Sequence, residues 1–170
     1  MPDTEFKDAI ALLKTDHRKV EELFDKFETT SGKATKRKLA EQICNELKVH
    51  TLLEEEIFYP AFQGKIEKDT LNEAFVEHDG AKVLVNDILA SSPEDDFYEA
   101  KVKVLSEEIK HHVKEEEAGK EGMFAQCRQT DVDLAELRDR MLARKAELMP
   151  QAKANDLPPA QLNVVNPIAG

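Results

Sequence analysis

Tryptophan is missing from this 170-residue chain, and aromatic residues make up only 6% of it. A core built from such a sequence is mainly aliphatic, with phenylalanine as its large filler. Cysteine is scarce too: Cys44 and Cys127 stand far apart and form neither a C-x-x-C nor a disulfide framework. Cys44 lies six residues before His50 and so points to another helix face. No apolar run approaches the roughly 20 residues that a membrane helix requires. The opening Met-Pro-Asp-Thr-Glu-Phe lacks the basic and apolar regions of a signal peptide, so a cytoplasmic location is the expectation. Positive charge is in deficit, with 24 Lys and Arg against 35 Asp and Glu and a formal net charge of −11. Nucleic acid and anionic membranes both select a basic surface, so neither is expected as a partner. There is no Gly-rich phosphate loop, no H-E-x-x-H, and no arrangement suggesting a serine or cysteine nucleophile.

What the chain does have is a repeated pair. His50 is followed four residues later by Glu54, and His112 by Glu116. Upstream of each pair stands a further histidine, His17 before the first and His78 before the second. From the first half to the second, the separations of these three positions are 61, 62 and 62 residues. Residues at i and i+4 share a helix face, and imidazole with carboxylate suits iron, zinc or manganese. The pattern is that of a helical hairpin used twice, each copy supplying two histidines and one glutamate.

Alternating steps of three and four trace the apolar seam of each segment. The seams run through Ile10, Leu13, His17, Val20 and Phe24; through Ile43, Leu47, His50, Glu54, Ile57 and Ala61; through Leu71, Ala74, His78, Ala81 and Val85; and through Val102, Leu105, Ile109, His112 and Glu116. Every ligand candidate therefore falls on a core-facing position. A single core histidine is commonly just a hydrogen-bonded core residue. Seam glutamates are harder to accommodate, because Glu is almost never fully buried unless paired. Four of the five histidines on seams, one per helix, favour a metal site over coincidence. The fifth, His111, sits about 100° around the helix from His112 and is not assigned as a ligand.

The chain, 41% hydrophobic, is expected to form one all-α domain of five helices. The first is expected to start near Asp3 or Thr4 and stop before Thr29, and the second to run from about Ala34 to Tyr59, with Pro60 and Gly64 ending it. The third follows Asp69 and ends near Ser91; Ser92-Pro93-Glu94-Asp95 then caps a long fourth, which Gly119 and Gly122 fray or bend. A fifth is expected over about Val132 to Met149, and Pro150 onward should be an extended or disordered tail. Short connections between long helices imply an up-down-up-down four-helix bundle with the fifth helix packed outside. In domain terms, residues 1–128 form the bundle, 129–150 the accessory helix and 151–170 the tail. Glu46 and Glu108 each lie four residues before a candidate histidine and are expected to orient His50 and His112 from behind.

These motifs resemble the hemerythrin-like HHE cation-binding domain: His17 on the first helix, His50-Thr51-Leu52-Leu53-Glu54, Glu77-His78-Asp79, and His112-Val113-Lys114-Glu115-Glu116. The segment Glu55-Glu56-Ile57-Phe58-Tyr59-Pro60 also resembles the family's run after its first H-x-x-x-E. The resemblance covers about residues 4–127. It implies two non-haem irons, one served by His17 and His50 and the other by His78 and His112, with Glu54 and Glu116 bridging. Zinc or manganese are the alternatives. Oxygen-carrying hemerythrins place another histidine where this chain has Lys82, and an aspartate where it has Glu117. The resemblance therefore implies a centre with fewer histidines and more open coordination, not a stable oxygen carrier. Its expected partners are oxygen, nitric oxide or peroxide. Three functions compete: a sensing or binding module, a di-iron enzyme acting on peroxide or ferrous iron, and a structural bundle with zinc or no metal. The ferritin-like alternative is disfavoured, because it needs two E-x-x-H motifs and this chain has one, Glu108 to His111.

Overall fold

A computed structural model describes residues 5–165, and among these every regular element is helical. Helix α1 spans Ala9–Thr29, α2 Lys33–Leu53, α3 Tyr59–Phe62, α4 Lys68–Ala90, α5 Tyr98–Glu117, α6 Met123–Arg128 and α7 Leu134–Lys153. Helices α1, α2, α4 and α5 form the up-down-up-down bundle, and α7 packs outside it on α1 and α2.

The helix ends follow local chemistry. Asp3 and Thr4, the expected first caps, lie outside the described residues. The carboxylate of Asp8 instead accepts from Ala11 N at 2.9 Å and opens α1 at Ala9. Before α5, Ser92 to Phe97 close into turns in which Asp95 accepts from Ser92 N, so the helix begins at Tyr98 and not near Pro93. Helix α5 ends at Glu117, short of Gly119, and the brief α6 that follows was not anticipated. Asp133 caps α7 through two backbone amides. The helix runs through Pro150 to Lys153, beyond the expected Met149, and stops where Asn155 adopts φ 54°.

The most consequential irregularity follows α2. Residues Glu54–Phe58 form a π-helical turn in which Tyr59 N reaches back to Glu54 O. The extra residue shifts the inward register by one. Phe62 is fully buried where the uninterrupted seam pointed to Ala61, which is half-buried.

The core is divided along the bundle axis. One apolar cluster gathers Ile10, Leu13, Leu53, Phe58 and Phe62 with Met141 and Leu148 of α7; the other gathers Val20, Phe24, Ile43, Val85 and Leu105. Between them lies a layer of buried polar residues: Asp16, His17, His50, Glu54, His78, His112 and Glu116. Beyond α7 the chain runs extended over α2 and α4. Lys48 Nζ donates to Pro158 O at 3.1 Å, and Asn86 exchanges two hydrogen bonds with Ala160. Asp79 accepts from the backbone amides of Asn163, Val164 and Val165 at 2.7–3.0 Å.

Candidate metal centre

Each bundle helix brings one histidine to the polar layer because the seam of that helix is a single stripe. All six candidates are buried, Glu54 and Glu116 almost completely. The structure brings them together in two overlapping groups. One ligand atom each from His17, His50, Glu54 and Glu116 lie within 4.8 Å of one another, as do those from Glu54, His78 and His112. Glu54 Oε1 is 3.1 Å from His50 Nε2 and 3.2 Å from His78 Nε2, one histidine from each half of the repeat. Glu116 Oε1 does the same, 3.3 Å from His17 Nε2 and 3.2 Å from His112 Nε2.

Behind the histidines stands a second set of carboxylates. Every Nδ1 faces one: His17 meets Glu117 at 2.6 Å, His50 meets Asp16 at 3.2 Å, His78 meets Glu55 at 3.0 Å and His112 meets Glu77 at 2.9 Å. Such a contact fixes the tautomer that turns Nε2 inward. The four acids are the chain neighbours of ligand candidates on adjacent helices, and they repeat with the same offsets, Asp16 to Glu77 by 61 residues and Glu55 to Glu117 by 62. That periodicity was available in the sequence. Glu46 and Glu108, expected to orient His50 and His112, do not do so. Glu46 pairs instead with Lys19 at 2.6 Å, and Glu108 is exposed; among the described residues neither bonds a site histidine. Each lies one turn before its histidine, on the opposite side from the i+4 glutamate that does touch the ring.

Tyr59 was not anticipated either. Its ring is buried by the register shift of the π-helical turn, and its hydroxyl donates to Glu116 Oε2 at 3.1 Å. The Tyr59 hydroxyl oxygen also lies 3.2 Å from His78 Nε2 and 3.3 Å from His112 Nε2. His111 is 64% exposed and faces Glu77 at 3.3 Å, outside the cluster. Cys44 and Cys127 are buried in the two apolar clusters, where burial pushes each thiol up to about 12. Lys82, at the position of an extra histidine in oxygen carriers, turns away to Glu55 at 2.7 Å and Asp79 at 3.4 Å.

The electrostatics of the cluster are those of an anionic pocket. Burial disfavours a charge on His50, yet the carboxylates of Glu54 and Asp16 outweigh it and raise its pKa to about 10. His112 is likewise raised well above its ordinary value, burial being overcome by Glu116 and Glu77. Glu116 stays well below the usual carboxylate range despite its burial, held there by His112 and His17. Burial and the two central glutamates raise the Tyr59 phenol strongly.

Whether the donors fit a metal can be judged from their unmet valences. His17 Nε2, His50 Nε2, both oxygens of Glu54 and Glu116 Oε1 are buried and lack a hydrogen bond of acceptable geometry among the described residues. Five converging polar atoms in that condition are rare in a folded protein. His50 Nε2 stands 3.1 Å from Glu54 Oε1 and His17 Nε2 3.3 Å from Glu116 Oε1, and ligand atoms of these four residues lie within 4.8 Å of one another, close enough to share a cation. Neutral imidazole and carboxylate are suitable donors for iron, zinc or manganese.

A cavity of about 410 Å³ meets this layer from one side. The four site histidines lie in its wall, whereas Glu54, Glu116 and Tyr59 do not, so it meets the cluster from the imidazole side.

A four-helix bundle crossed at mid-height by buried imidazoles and carboxylates defines a metal-binding helical protein. Residues 8–127 match the hemerythrin HHE cation binding domain, and the chain belongs to that family. Its fold is similar to the crystal structure of a hemerythrin HHE cation binding domain-containing protein from Mycobacterium kansasii, with 21% identity, a TM-score of 0.72, and coverage of 88% of this chain and 94% of that one. It is also similar to a DNA nickase of Nostoc sp. (strain PCC 7120), 27% identical over 107 residues. That match takes in 63% of this chain and only 30% of the nickase. Among the described residues, no helix is long and apolar enough to cross a membrane.

Proposed function

We propose that this protein binds a pair of non-haem iron ions, His17 and His50 serving one, His78 and His112 the other, with Glu54 and Glu116 shared between them. The observation that carries this reading is the set of five buried donor atoms at the junction of the two halves that make no well-formed hydrogen bond among the described residues. Charge agrees. Glu54 and Glu116 each touch two of the four imidazoles, and Asp16, Glu55, Glu77 and Glu117 one each, a density of carboxylate that cations at the centre would offset. Zinc or manganese would suit the same donors, and availability decides among such metals. Iron supplies redox reactivity toward oxygen, nitric oxide or peroxide, and the chain supplies a buried, oriented set of ligands open on the cavity side.

We read the protein as a binding or sensing module for such small molecules. The second reading, an enzyme that turns over peroxide or ferrous iron, draws its support from the cavity, which gives a reactant a route to the histidines. The nickase's activity is not carried over, since a formal net charge of −11 is ill suited to a DNA backbone. Metal analysis of freshly purified protein together with its absorption spectrum tests the proposal. Two irons per chain and near-ultraviolet ferric absorption are expected. One ion per chain, or zinc alone after growth in iron-replete medium, overturns it.

A further inference from the structure

The cavity beside the cluster is mismatched to the reactants considered so far. At about 410 Å³ it falls within the 300–1,000 Å³ range of small-molecule pockets. A water occupies about 30 Å³ in the liquid, so the space holds on the order of a dozen non-hydrogen atoms. A diatomic gas or hydrogen peroxide fills a small part of that. Its middle section is apolar on all four bundle helices, with Val20 of α1, Leu47 of α2, Ala81 and Val85 of α4, and Ile109 and Val113 of α5. Water gains little from such walls, whereas an apolar molecule gains by being covered.

Direction and charge narrow the occupant further. The exposed residues in the wall are Gly80 of α4 and Glu107, Glu108 and His111 of α5, which places the mouth along the α4–α5 seam. A β-carbon built on Gly80 would meet nothing within 4 Å, so this mid-helix glycine leaves the rim open. The rim carries carboxylates, and the two lysines in the wall are already engaged: Lys48 with the carbonyls of Leu157 and Pro158, Lys82 with Glu55 and the carbonyl of Gln161. An anion therefore finds repulsion at the entrance and no free ammonium in these lysines. A cation would have to shed its water among valines and leucines.

We infer that the cavity is a binding site for a neutral organic molecule of up to about a dozen non-hydrogen atoms in all, an apolar body with one small oxygen-bearing end, the body lying between Val20, Leu47 and Val85 and the polar end directed to the histidine floor. The binding of the body stands on the cavity alone; the role of the polar end rests on the metal reading above.

The test uses 1-octanol as the probe and octanoate as its charged counterpart, titrated calorimetrically into the full chain in metal-free and iron-loaded form. Octanol should bind both forms, and octanoate at least tenfold more weakly. Val85→Phe, which fills the passage, should weaken octanol at least tenfold. Gly80→Leu, placed where a side chain meets open space and so compatible with the fold, should weaken it or slow its entry to a similar degree. Circular dichroism melts of both variants establish folding, and iron content is measured on the same samples. Failure of octanol to bind either form, equal affinity for octanoate, or unchanged binding by two folded variants overturns the inference. Octanol binding by a protein that takes up no iron would leave the cavity site standing and remove the metal reading. Iron uptake without octanol binding would do the reverse.

Discussion

Asp16 holds His50 across the α1–α2 interface, its Oδ2 lying 3.2 Å from Nδ1, while Lys145 of α7 secures the other carboxylate oxygen at 2.7 Å. Burial disfavours the Asp16 charge, but His50 and Lys145 hold its pKa down at about 2, so it is a carboxylate at any physiological pH. Asp16→Asn should keep the shape and lose the charge. Orienting carboxylates behind metal-bound histidines are typically worth 10–100-fold in affinity, and a loss in that range is expected, measured by competition with a chromophoric chelator. Glu46→Gln should leave affinity within about twofold, because Glu46 serves Lys19. Equal effects from both substitutions would show that the contact to Nδ1 does not matter.

Protons compete for the same site. In the metal-free protein the pKa of His50 is raised from an ordinary 6.5 to about 10, so its stabilising contribution is complete below 6.5 and is lost as pH rises through about 10. Bound metal requires the neutral ring, so uptake at pH 7 to 9 must displace a proton, and affinity should climb across that interval. A pH-indicator titration in weak buffer should record proton release on iron addition. Metal-free protein should melt at progressively lower temperature from pH 7 to 10, with a smaller decline in the iron-loaded form. No proton release at pH 8 would contradict the raised His50.

Tyr59→Phe retains the buried ring and removes a hydroxyl that touches Glu116, His78 and His112. The fold should persist, with iron affinity reduced by about 1 kcal/mol, roughly fivefold, the net worth of one hydrogen bond. The effect should fall on the half of the site served by His78 and His112. Visible absorption and stepwise iron titration distinguish the halves; an unchanged second step would exclude a role for the hydroxyl.

The four bundle helices and the meeting of the six central residues were legible in the sequence because both follow from the same seam. A three-four alternation that carries His17, His50, His78 and His112 among apolar neighbours already puts them in one layer. The residues that hold those histidines were harder to see. Asp16, Glu55, Glu77 and Glu117 sit one position off the seam, where a side chain belongs to the boundary between two helices, and single-helix periodicity says nothing about interhelical boundaries. Their 61- and 62-residue repeat was the missed signal. Tyr59 was invisible for another reason. Its inward turn depends on the π-helical segment Glu54–Phe58, and nothing in a regular period announces an inserted residue.

Asp79 organises the tail, its buried carboxylate accepting from the amides of Asn163, Val164 and Val165, with Lys82 alongside. Asp79→Ala should release residues 157–165 from α4 and reduce stability by about 1–3 kcal/mol, the penalty for stranding polar groups that had partners. Limited proteolysis should cut beyond Leu157 in the variant far faster than in the parent chain, and denaturant melts should record the loss. Equal cleavage rates would mean that the tail is held by Lys48 and Asn86 without Asp79.

Helix α7 also changes what counts as the folding unit. Leu137, Met141 and Leu148 share one apolar cluster with Leu12, Leu53 and Phe58 of the bundle, and Lys145 reaches the carboxylate behind His50. The family's span closes at residue 127, before any of these contacts is made. A chain cut there would expose one end of its own core and leave Asp16 without its ammonium partner. The bundle and α7 therefore share one core and should melt in a single transition, and residues beyond the matched family span hold in place a carboxylate of the polar layer.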